Sequence, residues 1–147
     1  MCFVKTKESK VLVAKRNIKV YKIGVYADKN NFKPLFYSEF NYPVNKLVVE
    51  SVVFADLIDC GLHSFLNCTL YPLYQDVIDL YTLGYLRYTI PLSLYSVFLG
   101  EFIIPKDAKY CLNEPGDVVS NSLIYTGNYI KVQPGKKYIA KELWKEK

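Results

Sequence analysis

Short apolar runs separated by turn-forming residues dominate this chain. Val11 to Ala14 is one such run, set between lysines, and Ile18 to Tyr26 alternates through Ile18, Val20 and Val25 with Lys22 in the same rhythm. Both predict strands, because a period of two places every second side chain on one face of a sheet. Asp28-Lys29-Asn30-Asn31 predicts a turn that Pro34 ends. Leu35 to Tyr42, aromatic with Ser38 and Asn41 between, reads as an edge or half-buried strand before Pro43, and Leu47 to Phe54 fits a strand or a short helix. Asp56 to Phe65 predicts a turn feeding a short strand.

The rhythm then changes. Leu66, Leu70, Leu73, Val77, Leu80 and Tyr81 fall at spacings of 4, 3, 4, 3 and 1, the mark of one apolar helical face. Thr69 and Pro72 suit its first turn and Gly84 its exit. Leu92 to Ile104 has the apolar density of a strand buried on both faces. Val118 to Tyr125 predicts another strand, which Thr126-Gly127-Asn128 breaks from Tyr129 to Val132 to give a hairpin-like pair. Ile139, Leu143 and Trp144 in the tail from Tyr138 to Lys147 predict a short amphipathic helix. The expected class is α+β: a mainly antiparallel β-sheet, single or split, with one central helix and a short C-terminal helix. Residues 1–147 are expected to form a single domain, with 1–10 as a flexible basic segment. A chain of this length can bury roughly two-thirds of its unfolded surface and needs no metal or disulfide to fold.

Charge refines the picture. The net charge of +5 comes from the ends: residues 1–22 hold seven Lys/Arg against Glu8, and residues 131–147 hold six Lys against Glu142 and Glu146. The middle is acidic. A nucleic-acid binder would carry basic residues on its folded elements, interleaved with aromatics, so that class is not expected. Cys2, Cys60, Cys68 and Cys111 contain no C-x-x-C pair, and with a single His they predict no zinc site. Met1 to Lys22 has no apolar signal region, and Leu80 to Ile104 is interrupted by Arg87, Pro91, Gly100 and Glu101. No membrane span and a cytoplasmic location are therefore expected.

Candidate chemistry is sparse. No Walker loop, dinucleotide G-x-G-x-x-G, G-x-S-x-G elbow or H-E-x-x-H pair is present. His63-Ser64 could place a base beside a hydroxyl, yet neighbours on a strand point to opposite faces unless a bulge intervenes. Asn113-Glu114-Pro115-Gly116-Asp117 could present a carboxylate at a strand mouth, and the same residues are ordinary turn formers. Cys111 could serve as a nucleophile only if the fold brings His63 to it. The 14 tyrosines fit core edges or a protein interface, where the ring is dry and the phenol wet.

Three stretches carry a resemblance: Val20-Tyr-Lys-Ile-Gly24, Cys60-Gly-Leu-His-Ser-Phe65, and Glu101-Phe-Ile-Ile-Pro-Lys-Asp-Ala-Lys-Tyr110 running into Gly116-Asp-Val-Val-Ser-Asn121. Their order resembles a family of small phage and gut-bacterial proteins with a YK strand, a G-x-H-S-[FY] element and an IPKG-like turn followed by G-[ED]-x-V-S. That resemblance implies no activity by itself. More distantly, the layout is similar to the ADP-ribosyltransferase fold, which implies NAD as cofactor and catalytic roles for Lys22, for Ser64 with His63, and for Asp117. Lys22 stands where that fold uses Arg or His, and Asp117 where it uses Glu. Two functions follow: a phage-associated accessory protein that binds a protein partner without a cofactor, in the bacterial host cytoplasm if phage-encoded, or an NAD-dependent ADP-ribosyltransferase-like enzyme.

Overall fold

The computed structural model describes residues 3–4, 10–34, 41–50, 52, 57–58, 61–66, 97–113 and 117–132. They form strands β1 (Phe3–Val4), β2 (Val11–Val13), β3 (Ile18–Ala27), β4 (Asn31–Pro34), β5 (Tyr42–Pro43), β6 (Leu47–Val49), β7 (Leu57–Ile58), β8 (Leu62–Phe65), β9 (Phe98–Ile104), β10 (Lys109–Asn113), β11 (Asp117–Ser120) and β12 (Ser122–Lys131). β1 and β7 pair with each other. The other strands make a 10-stranded sheet in the order β2-β10-β11-β8-β3-β9-β12-β6, with β4 joined to β3 and β5. Every ladder between these strands is antiparallel.

The architecture corrects the expected α+β class. The described residues are β throughout and contain no helix. Of the central helix expected near 66–84, the described Leu66 lies in a bend after β8, and residues 67–84 lie outside the described residues, as does the C-terminal helix expected at 138–147. Of the strand expected over 92–104, Phe98–Ile104 is β9, Val97 lies just before it and residues 92–96 lie outside the described residues; of that expected over 35–42, Tyr42 is in β5 and residues 35–40 lie outside the described residues.

Asn31 to Pro34, expected to close a turn, is a strand paired with β3, and the turn before it is held by the Asp28 carboxylate. Its Oδ1 accepts from the amides of Asn30 at 2.8 Å and Asn31 at 2.7 Å. Thr126-Gly127-Asn128 does not split a hairpin. It is a bulge within one strand, because Tyr125 faces Phe102 of β9 and Tyr129 faces Gly100. Gly127 supplies the positive φ of 91° that the bulge uses.

The long strands β3 and β9 run in unbroken register from Ile18–Ile104 to Gly24–Phe98. Their β-branched and aromatic residues suit a pleated, two-sided position. β12 adds to β9, and Val44, just after β5, bridges back to Tyr125. Strands β3, β9, β12, β5 and β4 thus close a circuit around an aromatic plug. Phe32 packs edge-on to Phe102 at 5.0 Å and tilted to Tyr125 at 5.4 Å, and Tyr42 packs edge-on to Phe102 at 5.1 Å. The Phe32 ring fills the space where Gly24 and Gly100 have no side chain; a Cβ there would lie 2.6 Å and 2.5 Å from its ring atoms. The Tyr125 hydroxyl donates to the carbonyl of Asp28 at 2.8 Å, pinning the β3–β4 turn to β12.

Candidate functional site

Strand alternation sends Val20 and Lys22 of β3 to the interior face, so a lysine enters the core where an aliphatic residue is the ordinary choice. Its ammonium donates to the main-chain carbonyl of His63 on β8 and lies 5.5 Å from the centre of the Tyr42 ring. Burial disfavours the charged form and holds the amine down at about 8, against which the carboxylate of Glu50 pulls it back up. The same burial, with Glu50 beside it, raises the Tyr42 phenol.

Ser64 shares this face. Tyr21 stands opposite Phe65, which brings Lys22 and Ser64 into the neighbouring row, and Ser64 is buried. Its Oγ has no hydrogen-bond partner among the described residues, so the amine engages the adjoining carbonyl and not the hydroxyl. Lys22 and Ser64 are brought side by side without forming a nucleophile–base pair.

His63 lies on the other face, because β8 and β11 pair through Phe65–Asp117, Ser64–Val118, His63–Val119 and Leu62–Ser120 with no bulge. Val119 also faces Cys111 of β10. Cys111, Val119 and His63 therefore make one cross-strand row with valine in the middle, and two strand spacings set the backbones of β10 and β8 roughly 10 Å apart there. The ladder thus sets Val119 between Cys111 and His63, and does not make them the direct cross-strand neighbours that a Cys111 nucleophile calls for. Burial, and then the Lys22 ammonium, depress the imidazole to about 4, so His63 is neutral at physiological pH. Asp117 stands opposite Phe65 in the ladder, in the row of Tyr21 and one row from that of Lys22 and Ser64.

The polar residues after Asp117 serve the backbone. Ser120 Oγ donates to the carbonyl of Ser122 at 3.1 Å. Asn121 Oδ1 accepts from the Lys109 amide at 3.1 Å and the Ser122 hydroxyl at 3.2 Å, which holds the bend between β11 and β12.

Glu101, which in the sequence marks only a break in an apolar stretch, is a buried polar centre of the fold. This carboxylate is buried in the middle of β9, opposite the β12 bulge. Asn128 Nδ2 donates to its Oε1 at 3.1 Å, and the Thr126 hydroxyl lies 3.1 Å from both that oxygen and the Glu101 carbonyl. A lone acid within Phe98-Leu-Gly-Glu-Phe-Ile-Ile104 is the signal that could have found it. Among the described residues no group of three or more His, Cys, Asp and Glu side chains could hold a metal ion.

Among the described residues, the two ends of the sheet differ from this enclosed centre. β2, at one end, exposes Val11, Leu12 and Val13 at 41%, 38% and 52%, among the exposed Lys10, Lys15, Arg16, Lys106 and Lys109, with Asp107 as an acidic neighbour. β6, at the other, exposes Leu47 at 51% and Val49 at 65%. No family model, no curated protein and no solved structure matches the chain. No helix among the described residues is long and apolar enough to cross a membrane.

Proposed function

We propose that the protein acts without catalysis, as an accessory factor that binds a protein partner by adding an extended segment of that partner to the β2 edge. The observation that supports this most is an apolar edge strand, exposed along all three residues, inside a basic surround. The Ala14 amide donates inward to Ala108 at 2.9 Å, so by alternation the amides of Val11 and Val13 point away from β10. Main-chain groups of an added strand pair there, while the surrounding lysines favour acidic side chains and keep like copies of this edge apart. In a phage-associated protein of the kind the motifs resemble, that partner is a host or phage protein in the cytoplasm.

A blocked peptide alternating Glu and Val, titrated by fluorescence anisotropy against a Lys and Val counterpart, tests the reading. The acidic peptide is expected to bind and the basic one to fail, with affinity falling as salt rises. Equal behaviour of the two peptides, or no binding of either up to about a millimolar, overturns it. The same protein should melt at an unchanged temperature with millimolar NAD; an ADP-ribosyltransferase site would instead stabilise it by about 2.7 kcal/mol at a hundredfold excess over Kd.

A further inference from the structure

We infer that β6 is a self-association edge, pairing two copies of this chain antiparallel about a two-fold axis at Val48. The inference uses the opposite end of the sheet from β2 and does not depend on that edge's role.

Three observations carry it. First, Leu47 and Val49 are exposed at 51% and 65% on a strand that ends the sheet path among the described residues. Second, the outward backbone has the right phase. The Glu50 amide donates inward to Asn121 at 3.0 Å, so alternation turns the amides and carbonyls of Leu47 and Val49 outward. Centred on Val48, Leu47 of one copy meets Val49 of the other in a reciprocal hydrogen-bonded pair, and this happens twice. Third, the charges match under the same operation. Lys46 and Glu50 flank the strand, both exposed, and the two-fold axis sets Lys46 of each copy opposite Glu50 of the other. Pairing shifted by one residue toward either end sets Lys46 or Glu50 opposite an apolar residue.

β2 offers the contrast. Its flanks, Lys10 on one side and Lys15 and Arg16 on the other, are all basic, so pairing β2 with itself gathers like charge. The β6 contact is small beside a standard interface, so the dimer exchanges rapidly and depends on concentration.

Sedimentation velocity across a concentration series up to about a millimolar should move the wild type from the 17.0 kDa monomer toward the dimer. Lys46→Glu alone and Glu50→Lys alone should each remain monomeric, while an equimolar mixture of the two should dimerise, because every cross-pair is then opposite in sign. Glu50 also acts on Lys22 and Tyr42, so circular dichroism checks the fold of each variant. Independent of any variant, the Leu47 and Val49 amides of the wild type should gain hydrogen-exchange protection as concentration rises. A wild type that stays monomeric, a dimer indifferent to the single charge reversals, a mixture that stays monomeric, or unchanged protection at Leu47 and Val49 overturns the inference.

Discussion

The ammonium of Lys22 donates to the main-chain carbonyl of His63, tying the middle of β3 to β8 from the interior side. It joins residues 41 positions apart and holds the amine in a buried position. The bond and the burial pull in opposite directions, and the pH dependence of stability reports which is larger.

Burial dominates, since the folded amine titrates at about 8 against an ordinary 10.5. Below pH 8 both folded and unfolded chains carry the proton, and the fold bears the full cost of enclosing it. Between 8 and 10.5 the unfolded chain binds more protons, so stability rises with pH, by about 3 kcal/mol across that window. Tyr42 and Tyr125 act oppositely above pH 10, because burial raises their phenols and only the unfolded chain ionises there. Urea unfolding should therefore show maximum stability near pH 10. Lys22→Met should flatten the rise and, at pH 7, add about 1–2 kcal/mol, as replacing a buried charge by an apolar group of similar length commonly does.

His63 governs the acid side. Its folded pKa of about 4 lies below the ordinary 6.5, so between those values the unfolded chain binds the extra proton and stability falls as pH drops. For a half-buried ring, screened in part by solvent, the loss is about 1–2 kcal/mol. His63→Gln should remove this share of the acid-side loss in urea midpoints measured from about pH 7 to about pH 4.

Phe32 and the two glycines against it form a coupled unit. Gly100→Ala should cost about 1–3 kcal/mol by overpacking, and Phe32→Ala about 3–5 kcal/mol by emptying the plug. The double variant should be markedly more stable than the sum of the single losses predicts, since the alanine methyl then enters space the ring has left. Thermal melts of the three variants check this.

At the bulge, Thr126→Ala deprives the buried Glu101 of a donor and should cost about 1–3 kcal/mol. Thr126→Ser, which keeps the hydroxyl, should recover most of the loss in the same unfolding assay.

Val13→Pro removes an outward amide of β2 while leaving its inward hydrogen bonds to β10 intact, a position where an edge strand tolerates proline. It should abolish binding of the acidic Glu/Val peptide and leave the far-ultraviolet dichroism unchanged.

How much of this was legible varies with the kind of signal. β3 and β9 were readable because each carries its own dense apolar pattern, and Lys22 already stood out as the polar residue in an otherwise apolar rhythm. β4 was not, since Asn31-Phe32-Lys33-Pro34 has one large apolar residue, and only the cavity left by Gly24 and Gly100, one on each of two other strands, gives that residue its place. The bulge was misread for a related reason. A glycine between two short apolar runs serves a hairpin or a bulge equally well, and the partner strand β9 decides between them. At the candidate site, alternation correctly separated His63 from Ser64. It could not reveal that His63 contributes its carbonyl, because a main-chain acceptor leaves no mark in side-chain chemistry.

The closed circuit has a consequence for synthesis. β3 is made early, yet its long neighbour β9 and the closing strand β12 come from the last third of the chain. Phe32 therefore leaves the ribosome well before the residues that will enclose it, and nucleation waits on contacts distant in sequence, which makes folding slow and late. A nascent chain stalled before β9 should be bound by chaperones that full-length protein no longer engages.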